Sequence, residues 1–219
     1  MDEVRGKLVI GLAGGIGCGK STVARILADN GAGVIDSDRL NHKELEQAEV
    51  IKTLVRWFGP DVCDPDGNLR RDALAEIVFN DPRQRERVEG LLHPRIARRR
   101  RELIEAFEAD PKIRAIVLDS PLLYEAGLDR LCDVVVYVEA AKAQRAARVA
   151  ADRGWSPESW SQREKSQEPL DSKRAKADHI VVNNSGLDDL RSKVERLLTE
   201  LLAQATGGWD IRRADVEDC

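Results

Sequence analysis

The sequence predicts an α/β fold, a three-layer sandwich around a parallel five-stranded sheet. Three observations predict it: short apolar runs that read as strands buried on both faces, helical periodicity between them, and a glycine-rich turn joining the first run to the first helix. The runs are residues 8–10 (LVI), 33–35 (GVI), 113–119 (IRAIVLD), 134–138 (VVVYV) and 179–182 (HIVV). With 219 residues and 42% hydrophobic content, the chain is long enough for one α/β domain carrying insertions. Its 35 basic and 39 acidic side chains leave a net charge of −4, unlike the basic excess of a general nucleic-acid binder. No apolar run approaches the roughly 20 residues of a membrane span. The acidic start MDEV lacks the positive region of a signal peptide, so a cytoplasmic location is expected. The cysteines at 18, 63, 132 and 219 are too widely spaced for a CxxC pair or a zinc cluster and read as free thiols in a reducing compartment.

The first strand breaks into the glycines Gly11, Gly14, Gly15, Gly17 and Gly19. From Gly14 to Ser21 the residues satisfy GxxxxGK[ST], a phosphate-binding loop, and the helix that follows ends near Gly31, a plausible C-cap. A loop that turns successive backbone N–H groups toward phosphate oxygens needs residues without an obstructing Cβ, and the helix N-terminus adds partial positive charge. Gly14, Gly15, Gly17, Cys18 and Gly19 would then hold nucleotide phosphates, Lys20 would place its charge on the β and γ phosphates, and Thr22 would reach the α phosphate. Ser21 is the expected Mg²⁺ ligand, because Mg²⁺ takes oxygen donors. The sandwich is therefore expected to be of the P-loop NTPase type, with ATP and Mg²⁺ as its ligands. Cys18 either fills space or, lying at a helix N-terminus, has its thiol activated, in which case oxidation would block nucleotide binding.

The second strand ends in Asp36-Ser37-Asp38. Ligands of open α/β sheets bind beyond the carboxyl ends of strands, so this acidic pair is expected at the same rim as the loop. A kinase needs a carboxylate to orient the acceptor hydroxyl and take its proton; Asp38 is the candidate and Asp36 the alternate, while either could instead cap the next helix. Residues 44–110 then read as a helical insertion, longer than a crossover needs and suited to binding the acceptor. Within it His93 precedes Pro94, which is expected in the first turn of a helix. The arginines 98–101 suggest a phosphate clamp, yet Arg98 with Glu102 and Arg101 with Glu105 also fit a solvated helix face.

The third strand ends in Asp119, the form of a Walker B carboxylate that holds Mg²⁺. The loop after it, SPLLYE, offers Leu122 and Glu125 for substrate contact. Between 148 and 176 the composition turns polar and basic, as in a flap that closes over ATP and brings Arg148, Arg153, Lys173 or Arg174 to the transferring phosphate; a solvated helical hairpin fits equally. An amphipathic helix on Leu187, Leu190, Val194, Leu197, Leu198 and Leu201 closes the fold, and residues 206–219 read as a disordered tail.

Taken together, GLAGGIGCGKSTV, VIDSD, LLHP, LDSPLLYE and QEPLDSKRAKADHIVVNNSG resemble the dephospho-CoA kinase family in content and order. The resemblance implies a nucleotide-binding core (1–43, 111–147 and 177–205), an acceptor-binding region for CoA (44–110) and a lid (148–176). It further implies transfer of the γ phosphate of ATP to the ribose 3′-hydroxyl of dephospho-CoA, with Asp38 as base, His93 beside the acceptor, and Arg148 and Arg153 in the lid. No nucleic acid, membrane or obligate protein partner is expected. Two departures stand out: Cys18 replaces the family's commoner serine, and Arg148 and Arg153 are spaced one residue wider than usual. The rivals are another small-molecule kinase, such as a nucleoside monophosphate or shikimate kinase, and a non-metabolic nucleotide-binding module. A GTPase would carry NKxD, which the NNSG at 183–186 is not.

Overall fold

The computed structural model describes residues 6–206. It resolves into two compact units, one running to Asp36 and resuming at Ile104, the other Ser37–Leu103.

The first unit is built on five parallel strands, β1 (Leu8–Gly14), β2 (Ala32–Asp36), β3 (Ala115–Asp119), β4 (Val134–Glu139) and β5 (His179–Val182), in the order β2-β3-β1-β4-β5. The alternation of side chains along each strand sorts the core. Leu8, Ile10 and Leu12 of β1 join Val117, Val134, Val136 and Val138 in one buried cluster with the helices α1 (Lys20–Asp29) and α9 (Leu187–Thr206), through Val23, Ile26, Leu190, Val194, Leu198 and Leu201. Each such side chain is worth about 1.5–3 kcal/mol when fully buried. Val9, Ile116, Leu118 and Tyr137, on the other parity, are also buried. On that side α8 (Leu170–Lys176) packs against β1 and β4, and Phe107 comes so close to β2 that a Cβ at Gly33 would lie 2.6 Å from its ring.

Several details differ from the sequence reading. Strand β1 runs on through its first glycines because Gly11 and Gly14 pair with neighbours; Gly11 faces Leu118 on one side and Val135 on the other. Helix α1 is capped by Asn30, with Gly31 just beyond it at φ 88° and its N–H on the Ala28 carbonyl, the usual left-handed glycine stop. Leu187, expected in the apolar stripe of α9, is 49% exposed at its first turn. Residue 206 ends α9, and the rest of the predicted tail, 207–219, lies outside the described residues.

The second unit is helical: α2 (Ser37–Leu45), α3 (Ala48–Phe58), α4 (Arg71–Asn80) and most of α5 (Pro82–Ala109). Leu45, Val50, Leu54, Leu74, Val88 and Leu92 form its core. Pro94 does not open a helix; it sits inside α5, which Pro82 begins. Proline in a helix interior costs about 3 kcal/mol. Leu91 and Leu92 before it and Ile96 after it pack into the same core, which outweighs that cost and keeps the helix continuous. The arginine run also divides: Arg98 and Arg99 pair with Glu102 on an exposed face at 3.8 and 2.7 Å, whereas Arg100 is buried.

Candidate active site

The loop after β1 curls through left-handed glycines, Gly17 at φ 79° and Gly19 at φ 95°, and delivers Lys20 as the first residue of α1. Neither position tolerates a side chain. A Cβ at Gly17 would lie 2.7 Å from the Arg145 carbonyl, and one at Gly19 only 2.3 Å from Asn183 Nδ2. The loop is thus pressed against α6 (Lys142–Arg153) and the turn after β5. Lys20 is half-buried and donates one N–H back to the Gly14 carbonyl at 3.3 Å, while Ser21 is exposed at the helix start. Cys18 is 1% exposed, packed in the core behind the loop. Free N–H groups at a helix N-terminus, with a lysine beside them, make an anion site.

The strands end at one rim. Asp36, the last residue of β2, stands in register with Asp119, the last of β3, and Asp119 is in register with Leu12 on β1. Asp119 is buried and Asp36 exposed. The Ser21 hydroxyl and the Asp119 carboxylate are hard oxygen donors, which is the ligand chemistry Mg²⁺ takes. Asp38 lies in the exposed first turn of α2, where a carboxylate also favours the helix end. His93 is exposed on α5 of the helical unit, two residues before Arg95, whose Nε meets Glu44 at 3.1 Å.

The cations of the segment predicted as a lid are held in different ways. Arg148 lies within α6 and is drawn into the loop: its guanidinium donates to the Cys18 carbonyl at 3.3 Å and to the Asn183 carbonyl at 3.1 Å. Lys173 is 1% exposed and closes an ion pair with Glu125 at 2.8 Å, with further bonds to the Pro121 carbonyl and Gln167. Glu125 also accepts from the Glu168 amide at 2.8 Å. Burial pushes this carboxyl up, but Lys173 and the Glu168 amide overcome it and hold it below its ordinary value. Glu125 and Lys173 therefore tie the 120–125 loop to α8. Leu122 is left 45% exposed in that loop. Arg174 pairs with Glu139 at 3.1 Å. Arg153 and Arg163 are exposed instead, and stack over the Trp155 ring at 4.9 and 4.3 Å.

Sequence reasoning missed two residues that hold the loop. Asn183 Nδ2 donates to the Cys18 carbonyl at 2.8 Å from a buried position; its NNSG stretch entered the sequence reading through the family resemblance and as a failed NKxD motif, with no sign of this partner. Arg145 is 5% exposed beneath the loop. A signal existed for it: Arg145 lies four residues before the buried Val149, a charge on the apolar stripe of α6.

The dephospho-CoA kinase family model matches residues 8–189. A dephospho-CoA kinase of Symbiobacterium thermophilum is 42% identical over 188 residues, covering 85% of this chain and 78% of its own. A crystal structure from Thermus thermophilus is similar with a TM-score of 0.76 at 34% identity, over 90% of this chain and 99% of that one. The dephospho-CoA kinase from Campylobacter jejuni gives a TM-score of 0.63 at 25% identity, over 89% and 97%. With a phosphate loop, an aspartate-lined rim and a helical insertion all present, the chain belongs to the dephospho-CoA kinase family.

Proposed function

We propose that this protein phosphorylates the ribose 3′-hydroxyl of dephospho-CoA with ATP, giving coenzyme A and ADP. The observation that carries the reading is the loop from Gly14 to Ser21, opening at the rim where Asp36 and Asp119 end their strands. Transfer of this kind leaves little covalent work to the protein, so positioning and charge do most of it. Backbone N–H groups of Gly15, Gly17, Cys18 and Gly19 and the ammonium of Lys20 hold the phosphates, and Thr22 supports the α phosphate. Ser21 and Asp119 would hold Mg²⁺, which neutralises phosphate charge when bound. Asp38 orients the 3′-hydroxyl and takes its proton as the oxygen–phosphorus bond forms, and Asp36 contacts the acceptor.

The helical unit, with His93, receives the CoA portion of the acceptor, and Leu122 contributes an apolar contact from the 120–125 loop. Arg148 fixes the loop from behind, whereas Arg153 moves to the developing charge. The reading places the enzyme in the cytoplasm acting on small molecules, with no need of nucleic acid, membrane or a protein partner.

A coupled ADP-release assay with Mg·ATP tests it, run with dephospho-CoA, adenosine, AMP and no acceptor. Turnover with dephospho-CoA alone, giving coenzyme A by mass, is expected, and Asp38→Asn lowers kcat by roughly 10² to 10⁴ with little change in ATP affinity. Turnover on another acceptor, or without one, overturns the assignment; unchanged turnover in the variant removes Asp38 as base.

A further inference from the structure

Beneath the phosphate loop lies a buried cation that phosphate binding does not account for. The Arg145 side chain is 6% exposed. Its Nη1 would lie 2.8 Å from a Cβ at Gly15 and donates to the Ile16 carbonyl at 3.4 Å, so it supports the tip of the loop. The same nitrogen forms an ion pair with Glu164 of α7 (Pro157–Lys165), and the guanidinium sits 5.2 Å from the ring of Trp160 on that helix. Ile16, at the loop tip, shares a small buried apolar cluster with Val149 of α6 and Trp160. One guanidinium and one apolar cluster thus join the loop to α7.

A buried arginine needs its partners. Among the described residues its Nε and the Trp160 Nε1 are both buried without a hydrogen bond, and Glu164 and the Ile16 carbonyl are the polar contacts that hold the group. Loss of the carboxylate leaves a buried charge with one long bond, and the guanidinium must then shift, taking its support from Gly15 and Ile16 with it. The converse also holds. Phosphate oxygens on the loop N–H groups fix Gly15–Cys18, and a fixed loop tip restrains the Arg145 fork and, through it, α7.

We propose that Arg145 is a positioning residue that couples the docking of α7 to nucleotide occupancy of the phosphate loop, each strengthening the other. Because coupling of this kind is reciprocal, it is readable from both ends. The inference rests on the phosphate loop holding ATP, and the experiment separates the two.

The test measures Mg·ATP affinity by calorimetry and amide hydrogen exchange of 157–165 with and without Mg·ATP, in wild type, Arg145→Met, Arg145→Lys and Glu164→Gln. In wild type, Mg·ATP slows exchange in α7. Arg145→Met and Glu164→Gln lose that protection and bind ATP about tenfold more weakly, within the ordinary range of about 5–150-fold for coupled sites. The KM for the acceptor stays within about twofold, since no acceptor contact is removed. Arg145→Lys keeps the charge but not the planar fork and recovers part of the affinity. A purely architectural Arg145 would lower the melting temperature while the folded fraction kept its ATP affinity and its α7 protection, and that result overturns the proposal. Should Arg145→Met fail to fold, Glu164→Gln, whose carboxylate is 22% exposed, carries the same readouts. Wild type that binds no ATP overturns the functional reading; wild type that binds ATP with unchanged α7 exchange overturns the coupling alone.

Discussion

The phosphate loop and the 148–176 segment are both rich in polar and charged groups, but they are held by different kinds of contact. The loop is fixed from behind by the buried Asn183 on the Cys18 carbonyl, by the half-buried Arg148 beside it, and by glycines with no room for a Cβ. Within the segment, the exposed arginines Arg153 and Arg163 rest on the face of Trp155, a contact worth about 0.5–1 kcal/mol each at exposed sites. Unmaking the first set leaves buried polar groups without partners, whereas an anion can outbid the second. The difference sets a backed loop beside surface cations: the loop is braced by buried groups, whereas Arg153 and Arg163 are held by the Trp155 ring alone among the contacts described.

The largest effect expected is on the loop side. Lys20→Ala removes a charge that serves ground and transition states alike, so both ATP affinity and turnover fall, with kcat/KM down about 10³-fold. The fold should persist, because Lys20 is half-buried and its one bond to Gly14 is long at 3.3 Å. Steady-state kinetics with a parallel ATP titration checks this; equal ATP affinity in wild type and variant contradicts it.

Next comes Gly19→Ala, which sharpens the comparison by attacking the backing of the loop. A left-handed conformation costs a non-glycine residue about 1–2 kcal/mol. The new Cβ, 2.3 Å from Asn183 Nδ2, must also displace the amide from the Cys18 carbonyl, another ~1 kcal/mol. ATP binding should weaken by tens of fold, and Asn183→Ala in the same chain should relieve part of the clash. Strict additivity of the two substitutions would show that the side chains do not meet.

These two residues also show what was legible. The loop and the rim aspartates follow from local signals, glycines after an apolar run and carboxylates closing one, and the structure keeps them, although β1 runs on through its first glycines to Gly14. The passage of α5 through Pro94 was not legible, because burial of Leu92 and Ile96 overrides a local proline signal. Nor were the partners of Asn183, Lys173 and Arg145. Each is a side-chain contact between residues far apart in sequence, and no periodicity encodes which buried carbonyl or carboxylate a given cation will find. Basic composition alone made 148–176 look uniform, although Lys173 is buried and Arg153 is not.

Lys173→Met tests that unevenness at an intermediate scale. A fully buried ion pair broken on one side costs about 3–5 kcal/mol, but the Glu125 side chain is 24% exposed and screened, which reduces the expectation to ~1–2 kcal/mol. The effect has a pH signature. The Glu125 carboxyl is held below its ordinary 4.5, so the stabilisation is complete above that value and fades as pH falls through the lowered one. The difference in melting temperature between wild type and variant should therefore shrink on acidification below about pH 4.5; a constant difference would mean that the pair contributes packing alone.

Arg153→Ala is the smallest expected effect and the one that bears most directly on mobility. Its contact with Trp155 is exposed, so stability should change by less than about 1 kcal/mol. If Arg153 leaves the ring for the transferring phosphate, ATP affinity stays close to wild type while kcat drops about fivefold, or ~1 kcal/mol of barrier. The loss is modest because Arg163 stacks on the same ring and can supply charge as well. Departure of a guanidinium also changes the surroundings of the indole, so Mg·ATP should alter tryptophan emission in wild type and less so in the variant. A variant with full kcat and an unaltered emission response would make Arg153 part of the surface and leave Arg163, on the same ring, as the next cation to test.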